Sequence, residues 1–191
     1  MSTVLAFDTS GPYVGASLMH NDATTTRVEA MKRGQAERLI PLLEEMLADQ
    51  NLSWADLSAL GVGIGPGNFT GIRIAVSAAR GLAMGLNIPA VGVSAFETTQ
   101  RLASWAQTAV PGPQGRYYLF DPDKMSEPIM SASLPQVAYA LSDEHDTQAH
   151  LSMIATVAAE KAHLKLPPPK PLYIKPADAA PPKDAPPVLI D

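Results

Sequence analysis

The sequence predicts an α/β fold in which helices flank a mixed sheet, with elements in the order βββαβαβα. Three observations support this prediction. Three short strand-like segments joined by tight turns open the chain, two long amphipathic helix patterns follow, and each of these patterns leads into a short apolar segment. Tight turns join antiparallel strands, whereas strand–helix–strand crossovers join parallel ones, so the sheet should contain both.

The first half of the chain carries the clearest patterns. Short segments at 4–7, 14–19 and 25–30, the first of them apolar, are separated by residues typical of turns and predict three strands. From Gln35 to Asp49 apolar residues recur every three or four positions, which predicts an amphipathic helix. Pro41 lies near the start of this helix and should cost at most one hydrogen bond.

The next stretch predicts the two crossovers. Its strands are short and apolar, and two of its three helical segments, those starting at Ser53 and Ser94, begin with the spacing of a capping box. In order, we expect a capped helical turn at 53–56, a buried strand at 60–64, a glycine-rich loop at 65–71, a helix at 72–86, a strand at 90–93 and a helix at 94–107.

The second half is less regular. It predicts strands at 116–120 and 129–132 and a helix at 147–164. Nine of the last 25 residues are proline, so this tail should be extended and either solvated or draped over the surface. The sequence thus predicts an N-terminal lobe at 1–109, a shortened second lobe at 110–166 and a proline-rich tail at 167–191.

Composition excludes several classes of protein. With 46% apolar and 17% charged residues among 191, the chain is globular in composition. Its net charge of −5 argues against a free-standing nucleic-acid binder, which needs a dense basic face. The absence of cysteine excludes disulfides, thiolate zinc sites and cysteine nucleophiles. No segment resembles a signal peptide or a membrane span, so the default prediction is a cytoplasmic protein.

Asp8 and Ser10 follow the first strand and are weak candidates for ligand binding. A carboxylate and a hydroxyl at this turn could orient a metal-bound water or contact a phosphate. The alternative is that both side chains satisfy the turn through local hydrogen bonds.

The glycine-rich loop supplies the other weak candidates for cofactor binding, Gly65, Gly67, Thr70 and Arg73. Backbone N–H groups that converge before a helix can hold an anion. However, the loop fits neither the G-x-G-x-x-G fingerprint nor the P-loop. The alternative is a tight strand-to-helix connection that needs positive φ and close packing.

Small residues recur along the helix predicted at 72–86. Gly81 and Gly85 should each cost about 1 kcal/mol of helix stability relative to alanine, so some packing should compensate. The close neighbour could be the chain's own sheet or a helix of a partner.

No convincing catalytic set is visible. The four histidines do not form the i, i+4 pair of a helical zinc site, and G-x-S-x-G is absent. The acidic cluster at 143–146 predicts a solvated turn or the start of a helix.

Several motifs together resemble the TsaB (YeaZ) family. They are Asp8-Thr9-Ser10, Ala36-Glu37-Arg38-Leu39-Ile40-Pro41-Leu42-Leu43, Gly63-Ile64-Gly65-Pro66-Gly67-Asn68-Phe69-Thr70-Gly71-Ile72-Arg73-Ile74, Gly81-Leu82-Ala83 and Val91-Gly92-Val93-Ser94. The resemblance covers residues 3–105, and 65–73 is its most specific part. It implies an actin/Hsp70-like fold (ASKHA, ribonuclease H-like) of the group formerly classed as M22 glycoproteases.

The resemblance implies a non-catalytic accessory role. TsaB-like proteins support a TsaD-like catalytic subunit, with a TsaE-like ATPase, in placing threonylcarbamoyl on adenosine 37 of tRNA. The isolated chain would need no cofactor, although ADP or ATP is a candidate ligand at a subunit junction. It would contact tRNA only through the complex, avoid membranes and form a homodimer when its partner is absent.

The family's contact with the TsaD-like subunit is built from its first two long helices. Carried over to this sequence, the resemblance implies an interface on the apolar stripes of those helices. The residues are Leu39, Leu42, Leu43, Met46, Ile72, Val76, Ala79 and Ala83.

The chain also departs from its family. Pro113-Gln114-Gly115-Arg116-Tyr117-Tyr118 stands where an Asp-Ala-Arg-x-x-Glu-Val-Tyr-like strand is expected, and Gln35 where members often have histidine. Leu172–Asp178 resembles the family's C-terminal ending, so the tail should dock back on the domain.

Two alternatives to the accessory role remain. One is a nucleotide-binding phosphotransferase that uses Asp8 and the 65–71 loop. The other is an M22-type metallopeptidase, for which the sequence offers no zinc ligand set.

Overall fold

A five-stranded mixed sheet forms the centre of the protein. The computed structural model describes residues 2–21, 23–135 and 139–174. Strands β1, β2 and β3 are antiparallel neighbours, and β4 and β5 add to β1 in parallel, which gives the order β3-β2-β1-β4-β5. The predicted mixed sheet is therefore confirmed. Its strands are β1 (Val4–Asp8), β2 (Tyr13–His20), β3 (Ala23–Ala30), β4 (Ala59–Gly63) and β5 (Ala90–Val93).

Helices cover both faces of this sheet. They are α1 (Gln35–Asp49), α2 (Phe69–Leu86), α3 (Ala95–Ala103) and α4 (Thr147–Lys161). The predicted order βββαβαβα and the bounds of α1 are confirmed. Helix α2 begins three residues earlier than predicted because the Asn68 side chain caps its first turn, accepting a hydrogen bond from the Gly71 N–H at 2.9 Å. None of the helices in the described part of the chain is long and apolar enough to cross a membrane.

Two buried clusters hold these layers together. On one face of the sheet, Leu5 and Phe7 of β1 pack with apolar residues of α1 and α2. On the other face, Val4 and Ala6 of the same strand pack with α4. Successive residues of β1 thus point to opposite faces, and all five are buried because both faces are covered.

A second, four-stranded sheet follows the first. It consists of β6 (Thr108–Pro111), β7 (Tyr117–Phe120), β8 (Ile129–Ser131) and β9 (Ala140–Leu141) in the order β8-β7-β6-β9. The sequence predicted β7 and β8 but neither β6 nor β9. The structure also differs from the predicted boundaries, because β6 starts at Thr108 and α4 packs on the first sheet. The second lobe is therefore the small sheet and its loops.

The proline-rich tail docks back on the first lobe as far as it is described. The Leu172 N–H donates to the Ile64 carbonyl at 2.8 Å, and Pro169 is buried close to Gly92. The Tyr173 ring lies 5.0 Å from the Phe69 ring at the start of α2. The predicted docking is confirmed for this segment, and residues 175–191 lie outside the described part of the chain.

An ion-pair network ties β3 to α1. Arg38 donates to Glu29 at 2.8 and 2.6 Å and to Glu45 at 2.6 Å. The hydrogen bonds from Arg38 lower the pKa of both carboxyl groups. A carboxyl whose pKa is depressed by folding stabilises the folded state above its unfolded pKa and ceases to do so as the pH falls.

The free energy of unfolding should fall between pH 7 and pH 3, and we expect it to fall less in the Arg38→Met variant than in the wild type. This difference between the two proteins should develop near about pH 4. The effect should be small because the pairs are largely exposed. Urea midpoints of the wild type and the variant across this range measure it. Parallel pH profiles of the two proteins would contradict the assignment.

Candidate functional site

A cleft of 590 Å³ lies where the first sheet meets the second half of the chain. Asp8 and Gly63, at the ends of the parallel strands β1 and β4, line it from the first lobe. Residues around the start of α4, among them His145 and His150, line it from the other side. Crevices at the carboxyl ends of parallel strands are where open α/β sheets bind ligands, so this cleft is the first candidate site.

Asp8 is buried in this cleft, and its carboxylate is fully engaged by neighbours. It accepts hydrogen bonds from the Ser10 N–H at 3.1 Å, the Ser10 hydroxyl at 2.8 Å and the Tyr13 hydroxyl at 2.5 Å. Burial, reinforced by the nearby Asp8 carboxylate, raises the pKa of Tyr13 far above its ordinary value, which keeps the phenol a donor. These contacts support the interpretation in which Asp8 and Ser10 satisfy the turn.

The glycine-rich loop is packed against the end of β1. The Thr9 hydroxyl donates to the Gly71 carbonyl at 2.6 Å, and the Asn68 N–H donates to the Ser10 carbonyl at 2.7 Å. A Cβ atom on Gly71 would overlap the Thr9 carbonyl oxygen, and Gly65 has φ +94°. These contacts support a tight strand-to-helix connection, the second of the two interpretations.

The six weak candidates for ligand binding do not form one site. Four of them line the cleft: Asp8, Ser10, Gly65 and Gly67. Thr70 lines a separate cavity of 640 Å³ beside Lys32 and Arg33, which Ser10 also borders. Arg73 lines a third cavity, together with Arg80.

The cleft is acidic. Among the described residues that line it, three are aspartates, two are histidines and none is lysine or arginine. The aspartates are Asp8, Asp143 and Asp146, and the last of these caps α4 by accepting from the Ala149 N–H at 2.7 Å. The predicted helix start in the 143–146 cluster is therefore confirmed.

His150 is the residue of this cleft that sequence reasoning missed. Its Nδ1 lies 2.7 Å from the Thr98 hydroxyl, and its Nε2 lies 2.8 Å from the Ser142 carbonyl oxygen, to which it donates. Burial lowers the pKa of His150, which favours the neutral imidazole. No local signal marks this residue, because Thr98 precedes it by 52 positions.

The predicted partner interface is wrong for seven of its eight side chains. Leu39, Leu42, Leu43, Met46, Ile72, Val76 and Ala79 are at most 3% exposed and belong to the chain's own core. Ala83 is partly buried and packs against that core. The apolar stripes of α1 and α2 therefore face the sheet, because that sheet needs an apolar cover on this side.

The outward face of α2 carries other residues. Met84 is 84% exposed, and a Cβ atom on Gly81 or Gly85 would have no neighbour within 4 Å. The chain's own sheet therefore does not compensate for these two helical glycines. The sequence left open whether these glycines pack on the chain's own sheet or on a helix of a partner. Only a group from outside the described part of the chain can pack on them.

Residues 26–113 match the family described as TsaD, tRNA N6-adenosine threonylcarbamoyltransferase. Two curated relatives bear the name tRNA threonylcarbamoyladenosine biosynthesis protein TsaB. The protein from Escherichia coli is 35% identical over 95 residues, which are 50% of this chain and 41% of the relative. The protein from Bacillus subtilis is 37% identical over 97 residues, which are 50% of this chain and 42% of the relative. The matched region therefore spans less than half the length of these relatives.

The fold resembles solved structures over a longer stretch. YeaZ from Pseudomonas aeruginosa has a TM-score of 0.67 at 23% identity, and the superposition covers 91% of this chain and all of the other. A second structure, of a protein similar to peptidase YeaZ from Pseudomonas aeruginosa, has a TM-score of 0.71 at 22% identity. The predicted mixed α/β fold is confirmed as one shared with the YeaZ structures, and the resemblance of the N-terminal half to the TsaB (YeaZ) family is confirmed as well.

Proposed function

We propose that this chain, TsaB-like in its N-terminal half, is a non-catalytic partner subunit in the biosynthesis of threonylcarbamoyladenosine in tRNA. It would bind and support a TsaD-like catalytic subunit, which works with a TsaE-like ATPase on adenosine 37. The single observation that carries the proposal is the uncovered outward face of α2.

That face has the properties of a helix-packing surface. Two exposed glycines four residues apart lower stability by about 0.8–1 kcal/mol each unless something packs on them. Small residues at this spacing let a second helix approach closely. Met84 between them offers an apolar contact that water now surrounds. A partner helix against Gly81, Met84 and Gly85 would offset these costs.

The site geometry supports the accessory role over both alternatives. A phosphotransferase needs lysine or arginine, or a metal held by free carboxylates, to neutralise phosphate charge. The described residues that line the cleft include no lysine or arginine, and the Asp8 carboxylate is already engaged by Ser10 and Tyr13. A metallopeptidase needs a cluster of zinc ligands, and within residues 2–21, 23–135 and 139–174 no three such side chains come together. We propose that any bound ADP or ATP lies at a junction between subunits.

The same face accounts for the proposed homodimer. An α2 surface that fits a helix of a related fold can also fit its own copy around a two-fold axis. Two copies would then compete with the TsaD-like subunit for α2, and the homodimer would dominate when the partner is absent.

Co-purification tests the proposal. The tagged chain is recovered from extract of its own cells, and the bound proteins are identified by mass spectrometry. We expect a TsaD-like protein among them, at near-equal amount. Recovery of no TsaD-like protein, from extract in which that protein is abundant, would contradict the proposal.

A further inference from the structure

The charges of this acidic chain are unevenly distributed over its surface. Residues 57–96, which include α2, contain no aspartate or glutamate, and neither does the segment 161–174 that lies beside α2. These two stretches contribute the exposed cations Arg73, Arg80, Lys165 and Lys170. A basic face therefore lies on a protein of net charge −5.

The four cations have no carboxylate partner within the described part of the chain. Five other cations do form ion pairs there: Arg27, Arg38, Arg101, Lys124 and Lys161. The Arg80 side chain makes no hydrogen bond with any described residue. The positive charge along α2 is thus available to groups outside the described part of the chain.

Two adjoining cavities shape this face. Arg73 and Arg80 line a cavity of 320 Å³ together with Ser77 and Pro171. Arg80 also lines a neighbouring cavity of 410 Å³, whose other walls are largely apolar and include Leu166. The two arginines are seven residues apart on one helix, so their Cα atoms are separated by about 10.5 Å.

Arg73 is held in place by aromatic rings. Its guanidinium lies 3.8 Å from the centre of the Phe69 ring, and its Nε donates to the Tyr173 hydroxyl at 2.8 Å. This arrangement leaves both terminal nitrogens free to donate to a carboxylate. Because the side chain is already ordered, binding there costs less conformational entropy than at a free arginine.

We propose that this face binds an acidic helix of a partner protein, with two carboxylates seven residues apart opposite Arg73 and Arg80 and an apolar side chain in the 410 Å³ cavity. The inference rests on the proposed function and names the chemistry of the partner's contact surface. A protein helix fits this face better than a nucleic acid does. The cavity beside Arg80 is apolar and can bury an apolar side chain, which a phosphate backbone does not have.

Charge reversal tests the inference with the TsaD-like subunit from the same cells as the probe. We compare the wild type, Arg80→Glu, and the double variant Arg80→Glu with Lys170→Glu, by calorimetry at 50 and 500 mM NaCl. The matched control is Arg116→Glu, since Arg116 is an exposed arginine directly before β7 whose side chain makes its only described hydrogen bond to the Met130 sulfur. Circular dichroism checks that all variants fold, which exposed positions should allow.

The double variant should bind at least about tenfold more weakly than the wild type at 50 mM NaCl, and its affinity should depend less on salt. The Arg116→Glu control should bind like the wild type. Wild-type affinity in the double variant, or equal losses in the double variant and the control, would overturn this inference while leaving the proposed function intact. Failure of the wild type to bind the TsaD-like subunit would overturn both. If the wild type binds purified tRNA tightly and the double variant does not, the ligand of this face is phosphate and not an acidic helix.

Discussion

Alanine at position 71 is expected to destabilise the folded chain by about 3 kcal/mol, enough to consume a large part of the stability of a domain of this size. The added methyl group would overlap the carbonyl oxygen of Thr9, a buried residue that directly follows β1. Relief requires α2 to move away from the sheet, and that movement would break the Thr9–Gly71 hydrogen bond. Urea unfolding of the purified Gly71→Ala variant measures the loss.

Gly81→Ala is the matched control. It makes the same chemical change in the same helix, but at a position where a Cβ atom would meet nothing within 4 Å. Alanine should there raise stability by up to about 1 kcal/mol, because it is the better helix former. Equal effects at the two positions would contradict the close approach of α2 to β1.

The double variant Gly81→Trp with Gly85→Trp is expected to weaken binding of the TsaD-like subunit by about 100-fold or more. Two indole rings would fill the space that a partner helix needs, while the isolated chain would fold because both positions are open. The homodimer should be lost as well. Calorimetry gives the affinity, and light scattering gives the mass of the isolated chain.

Gln148→Trp controls for the effect of an exposed tryptophan. Gln148 is exposed in the first turn of α4, on a different part of the surface from α2. This variant should bind the partner like the wild type. If the double variant at Gly81 and Gly85 binds the partner as tightly as the wild type does, α2 is not the contact surface. The accessory role would then require a partner contact on another part of the protein.

Periodicity gave the helices of the first lobe but could not tell what their apolar stripes face. Leu39 and Leu43 of α1 repeat at helical spacing, as Ile72 and Val76 of α2 do, and this spacing shows only that each pair shares a side of its own helix. Whether that side meets the chain's own sheet or a partner depends on the tertiary arrangement. In this fold the apolar stripes of α1 and α2 cover one face of the sheet and are therefore buried. The residues that indicate a partner surface are instead the exposed Gly81 and Gly85.

The second lobe was harder to predict because its elements depend on distant contacts. Strand β9 has only two residues, Ala140 and Leu141, and forms by pairing with Thr108 and Ala109 of β6. Such short segments carry no detectable period. The cleft has the same origin, because His150 reaches Thr98 only after α4 has folded across the first sheet.

The central claim is that cells need this chain for threonylcarbamoyladenosine in tRNA and need it through α2. Mass spectrometry of nucleosides from total tRNA, after deletion of the gene and its replacement by variants, tests both parts at once. We expect the modified nucleoside to be lost on deletion, restored by the wild type and by Gln148→Trp, and not restored by the Gly81 and Gly85 double tryptophan variant. Wild-type levels of the nucleoside in the deletion strain would contradict the account.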